Sequence, residues 1–594
     1  MAEKVKFKQE RWSLEDLFPG LGTPEIEAAL DSMDESITRF EKLRADLDEG
    51  LDEERFLSIL QMYELIERQI SRLHGFASLK FSEDTQDQAA QTLRGRIQQK
   101  AAEMDNRTMF FKLWWKGLEQ PAAERLLQVS DDYRYWLESL RLQKPYTLTE
   151  PEEKVINLKD VNGSNALVNL YATITNRYSF KLKVDGEFQE LTREELQVNY
   201  RSPDPGLRAG AYQELYRVYG EDAPVLGQIY QYLVHDWRSE GVDMRGYASP
   251  IAIRNLANDV PDEVIDTMLA ACRENAHLFH RFFALKARLL GVERLRRYDL
   301  YAPVVEADKR YPYGDAVTMV LESFDSFDPR LAGLARKIFD SRHIDSEVRK
   351  GKRSGAFCAT IGPDLTPWVL QSYVGQARNI TTMAHELGHA VHSLLADKHS
   401  ALTQHASLPL AETASTFGEM LLIDRLLEVE DDAEVRRDIL FQQMDDAYAT
   451  IMRQAYFALF EREAHEQIHA GAEVDTLHEI YQANLQEQFG ESLELSDDFR
   501  FEWTAIPHFY HTPFYVYAYS FGQLLVLALY QQYLQDGAAF KPRYFDILEA
   551  GGSASPEMVL KRAGIDIYAK TFWQGGFDVI AENLKQLEAL KIED

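Results

Sequence analysis

The sequence predicts a mainly α protein with small β elements near 180–190 and 355–375. Three observations predict it. Apolar residues recur at helical spacing through most of the 594 residues. Hydrophobic residues make up 45% and aromatics 11%, enough for a large packed core, so a chain disordered throughout is excluded. The helical pattern gives way to β-type segments at two places, an alternating run near 180–190 and short β-branched and aromatic runs in 355–375.

Taken in order, the start MAEKVKFKQERWSLEDLF alternates charges and lacks the apolar run of a signal peptide. Residues 24–145 read as long amphipathic helices, for example 26–47 and 54–76, broken at Asp48-Glu49-Gly50. Pro145 and Pro151 mark a boundary. A hairpin follows: Phe180, Leu182 and Val184 alternate with lysines, and Asp185-Gly186 supplies the turn. Thr192 and Glu195 form a capping box that starts the next helix. From about 205 the helices are longer and more apolar. The second β element lies between Gly355 and Gly375, with Gly362-Pro363-Asp364 separating two short runs. The chain thus divides into an N-terminal helical region, 1–200, with the hairpin near its end, and a region 201–594 that carries the chemistry below.

Charge and cysteines narrow the class. Lys plus Arg is 65 and Asp plus Glu is 96, a net charge of −31, which excludes a nucleic-acid binder of the usual cationic kind. Two cysteines, Cys272 and Cys358, cannot form a disulfide framework or a cysteine-rich zinc site, and point to a reducing compartment. The apolar run 524–530 is far below the ~18 residues of a membrane span. The expectation is a cytoplasmic protein without membrane or nucleic-acid partners.

The chemistry sits in His385-Glu386-Leu387-Gly388-His389, an HExxH pattern. On a helix the two histidines lie one turn apart on one face and can hold a single zinc ion, while Glu386 flanks the bound water as general base. Gly388 is unfavourable in a helix by ~1 kcal/mol relative to alanine, which close approach of another backbone would justify. Hydrolytic zinc takes three protein ligands. Glu412 is the best third, because it and Glu419 lie on one face of an apolar helix, with no Lys or Arg from 399 to 424. Glu419 is then the acceptor that orients an imidazole N–H, and His392 an outer partner on the same face as His385. His399 and His405 read as solvated loop histidines. A second HExxH, His465 to His469, has a poorer setting: charged residues precede it and Gly471 ends its helix.

The segment from Pro507 to Tyr519 holds two histidines and four tyrosines, with no Lys or Arg from 501 to 540. It reads either as an aromatic core loop or as a cleft wall aiming hydroxyl and imidazole donors at a developing oxyanion.

Together, His385 through His392, Glu412 through Glu419, and His508-Phe-Tyr510 with Pro513-Phe-Tyr515-Val-Tyr517 resemble the thimet oligopeptidase / oligoendopeptidase F family of zinc metallopeptidases, on the oligoendopeptidase F side. The resemblance covers roughly 200–590 well and 1–200 more loosely. It implies a two-lobed helical zincin-type metallopeptidase around a deep substrate channel, and endopeptidase action on short oligopeptides. It implies one Zn(2+) per chain on His385, His389 and Glu412, with Glu386 as base. Tyr517 matches the tyrosine that assists the tetrahedral intermediate. Tyr510 and His508 match a substrate-binding tyrosine and its neighbouring histidine. The stretch between histidine and tyrosine is shorter here than in the mammalian-type pattern, so His508 and His511 compete for one role. Gly355 and Ala356 fall in the region of the family's edge strand, expected to pair with peptide backbone. The alternatives are a peptidyl-dipeptidase or carboxypeptidase with the same metal chemistry, and a non-catalytic zinc-binding scaffold.

Overall fold

A computed structural model describes residues 7–304 and 309–590. The chain is mainly helical, with three small sheets among the described residues. The elements used below are, in order, α1 (Pro24–Lys42), α2 (Glu53–Glu83), α3 (Gln88–Gly117), β1 (Phe180–Val184), β2 (Glu187–Leu191), α4 (Pro250–Ala257), β3 (Ile344–Asp345), β4 (Phe357–Ala359), β5 (Trp368–Leu370), α5 (Ala377–Leu395), α6 (Leu408–Ala411), α7 (Thr413–Val429), α8 (Arg453–His469) and α9 (Tyr517–Asp536).

Local signals account for the ends of several of these. The Asp52 carboxylate accepts from the N–H groups of Glu54 and Arg55, so α2 starts at Glu53. Asp185 and Gly186 take positive φ, 52° and 87°, which closes the β1–β2 hairpin in the twist its strands require. Thr192 and Glu195 cap each other's backbone as the sequence predicts. The aromatic segment leads directly into α9, which begins at Tyr517.

The chain forms two compact units, each built from three separate stretches. One takes in Met1–Lys144, Lys309–Val429 and Gln532–Asp566; the other takes in Pro145–Asp308, Glu430–Gln531 and Ile567–Asp594. In the first, α1, α2 and α3 bury an aromatic core that includes Phe40, Phe56, Tyr63, Phe111 and Trp115. Trp368 and Leu370 of β5 join the same core, which anchors the small sheet that borders α5. That sheet has the order β3-β5-β4, so β4 is an edge strand. In the second unit the hairpin packs on neighbouring helices through Phe180 and Leu182, both buried.

No helix among the described residues is long and apolar enough to cross a membrane.

Candidate metal centre

Helix α5 carries His385, Glu386, His389 and His392, and α7 crosses it at Gly388. A methyl group there would meet the Ala414 carbonyl oxygen and lie 2.6 Å from Ser415 Cα. The missing side chain therefore sets the distance between the two helices. Glu412 and Glu419 do not share one continuous helix, contrary to the sequence expectation. α6 ends at Ala411, Glu412 sits in the turn, and α7 starts at Thr413. The break swings Glu412 over α5, while Glu419 reaches it two turns further along.

His385 Nε2 and His389 Nε2 are 3.2 Å apart, and Glu412 Oε2 lies 3.4 Å from each. A tetrahedral zinc with bonds of ~2.05 Å needs ligand edges of ~3.3 Å, so these three atoms fit its triangle. His385 Nδ1–H donates to Glu419 Oε1 at 2.5 Å, which fixes the tautomer and leaves Nε2 facing His389 Nε2 and Glu412 Oε2. Ser415 Oγ donates to Glu412 Oε2 at 2.7 Å and steadies that carboxylate. Sequence reasoning missed Ser415, although its place three residues after Glu412 is a usable signal.

Charge is concentrated here. Burial opposes a charge on His385, but the hydrogen bond to Glu419 and the charges of Glu419, Glu412 and Glu386 lift it to about 9. Burial presses His389 down to about 4, helped by the charge on His385. Glu386 is buried; that burial, with Glu412 and Glu419 nearby, pushes its carboxyl up to about 7 against His385 and the Cys358 N–H that donates to it. A carboxyl poised near neutrality can both take and return a proton. A cavity of about 530 Å³ opens beside these groups, lined by Ala356 to Thr360 on one side and His385, Glu386 and His389 on the other.

His392 also lines the cavity; it is buried, and its Nε2 has no protein partner. Gly355, with φ 85°, turns the chain into β4, and Ala356 precedes the strand. His405 is exposed at the cavity. His399 is not a solvated loop residue: Nδ1 meets Asp132 at 2.7 Å and Nε2 meets the Glu549 carbonyl at 2.8 Å.

The aromatic segment lies in the other unit. Tyr517 is buried, and its hydroxyl oxygen accepts from Asn258 Nδ2 at 2.9 Å. Tyr510 is 1% exposed, stacked on Tyr171 with ring centroids 3.8 Å apart. His511 is exposed and His508 half-buried, its Nε2 3.5 Å from the Tyr519 hydroxyl. Of the second HExxH, His465 is buried with both ring nitrogens unpartnered, while His469 and Glu466 are exposed.

Comparison with known proteins points the same way. The pattern of "Peptidase family M3" matches residues 198–579, and that of "Oligopeptidase F" matches 121–180. The chain is 26% identical to "Oligopeptidase PepF" of Bacillus subtilis, over 98% of this chain and 87% of that one. It is 26% identical to an "Oligoendopeptidase F homolog" of Lactococcus lactis, over 90% of each. Its fold is similar to that of a solved Chlamydophila abortus protein, with TM-score 0.88, 24% identity and 98% of both chains covered. It is also similar to oligoendopeptidase-F from Enterococcus faecium, with TM-score 0.71, 24% identity, and 95% and 98% covered.

Proposed function

The chain belongs to peptidase family M3, and from that premise we propose that it is a zinc-dependent endopeptidase hydrolysing internal bonds of short oligopeptides. The observation that carries this reading is the His385–His389–Glu412 triangle, with tetrahedral edges, beside the cavity that Glu386 lines. The catalytic region is 201–594, preceded by the helical region 1–200. Two unpaired cysteines support a cytoplasmic setting.

His385, His389 and Glu412 would hold one zinc ion, whose chemistry would be Lewis acidity toward a scissile carbonyl and a lowered pKa, ~7, for water. Glu419 keeps His385 in the tautomer that ligates, and Ser415 keeps Glu412 aimed. Glu386 takes the water proton on its carboxylate and returns it to the leaving nitrogen. Tyr517 donates a hydrogen bond from its phenolic O–H to the oxyanion, assisted by His508, with His511 the alternative. The outer edge of β4, entered through Gly355 and Ala356, pairs with an extended peptide main chain. Folded proteins hold most of their backbone amides in their own hydrogen bonds, so extended short peptides are the substrates.

The test is mass spectrometry of a mixed peptide library after digestion, with and without chelator and with zinc restored. Internal cuts that chelator stops and zinc restores are expected. Products shortened only by dipeptides or single residues from the C-terminus would make it a peptidyl-dipeptidase or carboxypeptidase. Zinc uptake with no cleavage would make it a binding scaffold.

A further inference from the structure

The residues just before Tyr517 are held in a conformation the chain would not choose alone. Phe514 has φ 58°, in the left-handed region that a bulky side chain avoids. Three side chains from distant parts of the sequence hold the segment there. Arg254 Nε donates to the Pro513 carbonyl at 3.1 Å. The Phe514 N–H donates to Glu461 Oε1 at 2.8 Å, fully buried. Asn258 Nδ2 donates to the Tyr517 hydroxyl oxygen at 2.9 Å, also buried. Arg254 and Asn258 are one turn apart at the end of α4, and Glu461 and His465 are one turn apart on α8. His465 closes the arrangement by packing its ring on Phe514, centroids 4.6 Å apart.

Glu461 is hard to explain by packing. Glu461 is 0% exposed in relative area and its second carboxylate oxygen has no partner. Burial raises its carboxyl to about 8, although the Phe514 N–H and Arg254 favour the anion. A buried carboxyl that serves one backbone N–H is destabilising unless that N–H matters. A phenol carries one proton. Because Asn258 donates to the Tyr517 oxygen, that proton is not directed at Asn258.

We propose that Arg254, Asn258 and Glu461 are positioning residues for Tyr517. They clamp 513–517 at three points, and Asn258 fixes which way the phenolic proton is turned, so that Tyr517 is delivered as a donor. This gives the helix of the second HExxH a role in the reaction through Glu461 and His465, without metal. The inference rests on the reading of Tyr517 as the oxyanion donor.

The experiment is steady-state kinetics of the zinc-loaded enzyme on a short peptide, with each substitution made alone and again on Tyr517→Phe. Asn258→Asp keeps the shape but not the donor, and Asn258→Ala removes both; each is expected to lower kcat ~10-fold or more with KM within ~3-fold. Glu461→Ala is expected to do the same. Glu461→Gln, whose amide oxygen still accepts from Phe514, should keep kcat within ~3-fold. On Tyr517→Phe, the Asn258 and Glu461→Ala substitutions should change kcat by less than ~2-fold, because the group they position is gone. Equal losses in both backgrounds, or losses confined to KM, would overturn the clamp while leaving Tyr517 as donor. A normal kcat in Tyr517→Phe alone would overturn the donor reading and the clamp with it. If Glu461→Ala does not fold, by circular dichroism and zinc content, the two Asn258 variants and Glu461→Gln decide the matter.

Discussion

The chain contains HExxH twice, once on α5 and once on α8, and the two stretches have different fates. On α5 both histidines are partly exposed, with side-chain values of 28% and 25%, and their Nε2 atoms converge. On α8, His465 is 2% exposed and packed on Phe514, while His469 faces solvent. The fourth residue of the pattern separates them. It is Gly388 on α5, where α7 comes close enough to bring in Glu412 and Glu419. It is Ile468 on α8, a bulky side chain buried in the core. Five residues set the spacing of two imidazoles. A ligand triangle also needs a gap through which a third element can approach.

The strongest way to break this comparison is to exchange the fates of the two first histidines. His385→Ala is expected to abolish zinc retention and turnover, whereas His465→Ala should retain one zinc per chain. The second variant should lose stability, roughly 2–4 kcal/mol as for other large-to-small core changes. Metal analysis of both proteins after dialysis, with peptide hydrolysis alongside, checks it. Zinc kept in the first and lost in the second would reverse the assignment.

Next come the two glutamates. Glu386→Gln cannot take a proton, so kcat should fall at least ~10²-fold with zinc still bound. Glu466→Gln changes an exposed residue and should leave kcat within ~2-fold and stability within ~0.5 kcal/mol. Comparable losses in both would remove Glu386 from the base role.

The supports of the triangle are expected to matter less. Glu419→Gln removes the anionic acceptor behind His385 and should weaken zinc binding ~10–100-fold, read by competition with a chelator. Gly388→Ala forces α7 away and should weaken zinc binding while lowering the melting temperature. Ile468→Ala should lower the melting temperature alone. Unchanged zinc affinity in Gly388→Ala would show that the helix spacing does not set the site.

The last effect concerns protons and leaves the zinc site untouched. Burial holds His465 down at about 3, below its usual 6.5. A group depressed in this way contributes stability that is present above pH ~6.5 and lost as pH falls toward 3, at up to ~1.4 kcal/mol per pH unit. His465→Leu should therefore lose less stability than the parent between pH 7 and 4.5 in urea unfolding. An unchanged acid slope would mean that His465 is not one of the groups behind it.

Much of the site was legible because its parts are local. His385, Glu386 and His389 lie within a single turn, and periodicity places them. Glu412 and Glu419 stand out because an apolar segment with two carboxylates and no cation needs a positive partner. The hairpin and the Thr192 cap were equally readable from adjacent residues. The break at Glu412 was not, since an apolar run does not say where a helix is interrupted. Contacts far apart in sequence left no trace either: the Cys358 N–H on Glu386, Asp132 under His399, and Asn258 on Tyr517. Nor could composition say which rings of the aromatic segment face inward, because cores and clefts use the same residues. Tyr510 proves to be stacked on Tyr171. The interleaving of the two compact units was beyond reach for the same reason, as the chain returns to each one after long detours.

The edge position of β4 has a chemical corollary. On the proposed pairing, what is read from a peptide is its amide groups, and side chains are nearly irrelevant at the paired positions. A residue without an N–H cannot complete such a ladder. Peptides with proline or an N-methylated residue at a paired position should escape cleavage there, whatever their neighbours, and a backbone ester at the same place should act alike. Natural proline-rich peptides would then persist in a pool that this protein otherwise clears, and N-methylation offers a route to peptide ligands that occupy its cavity without being consumed.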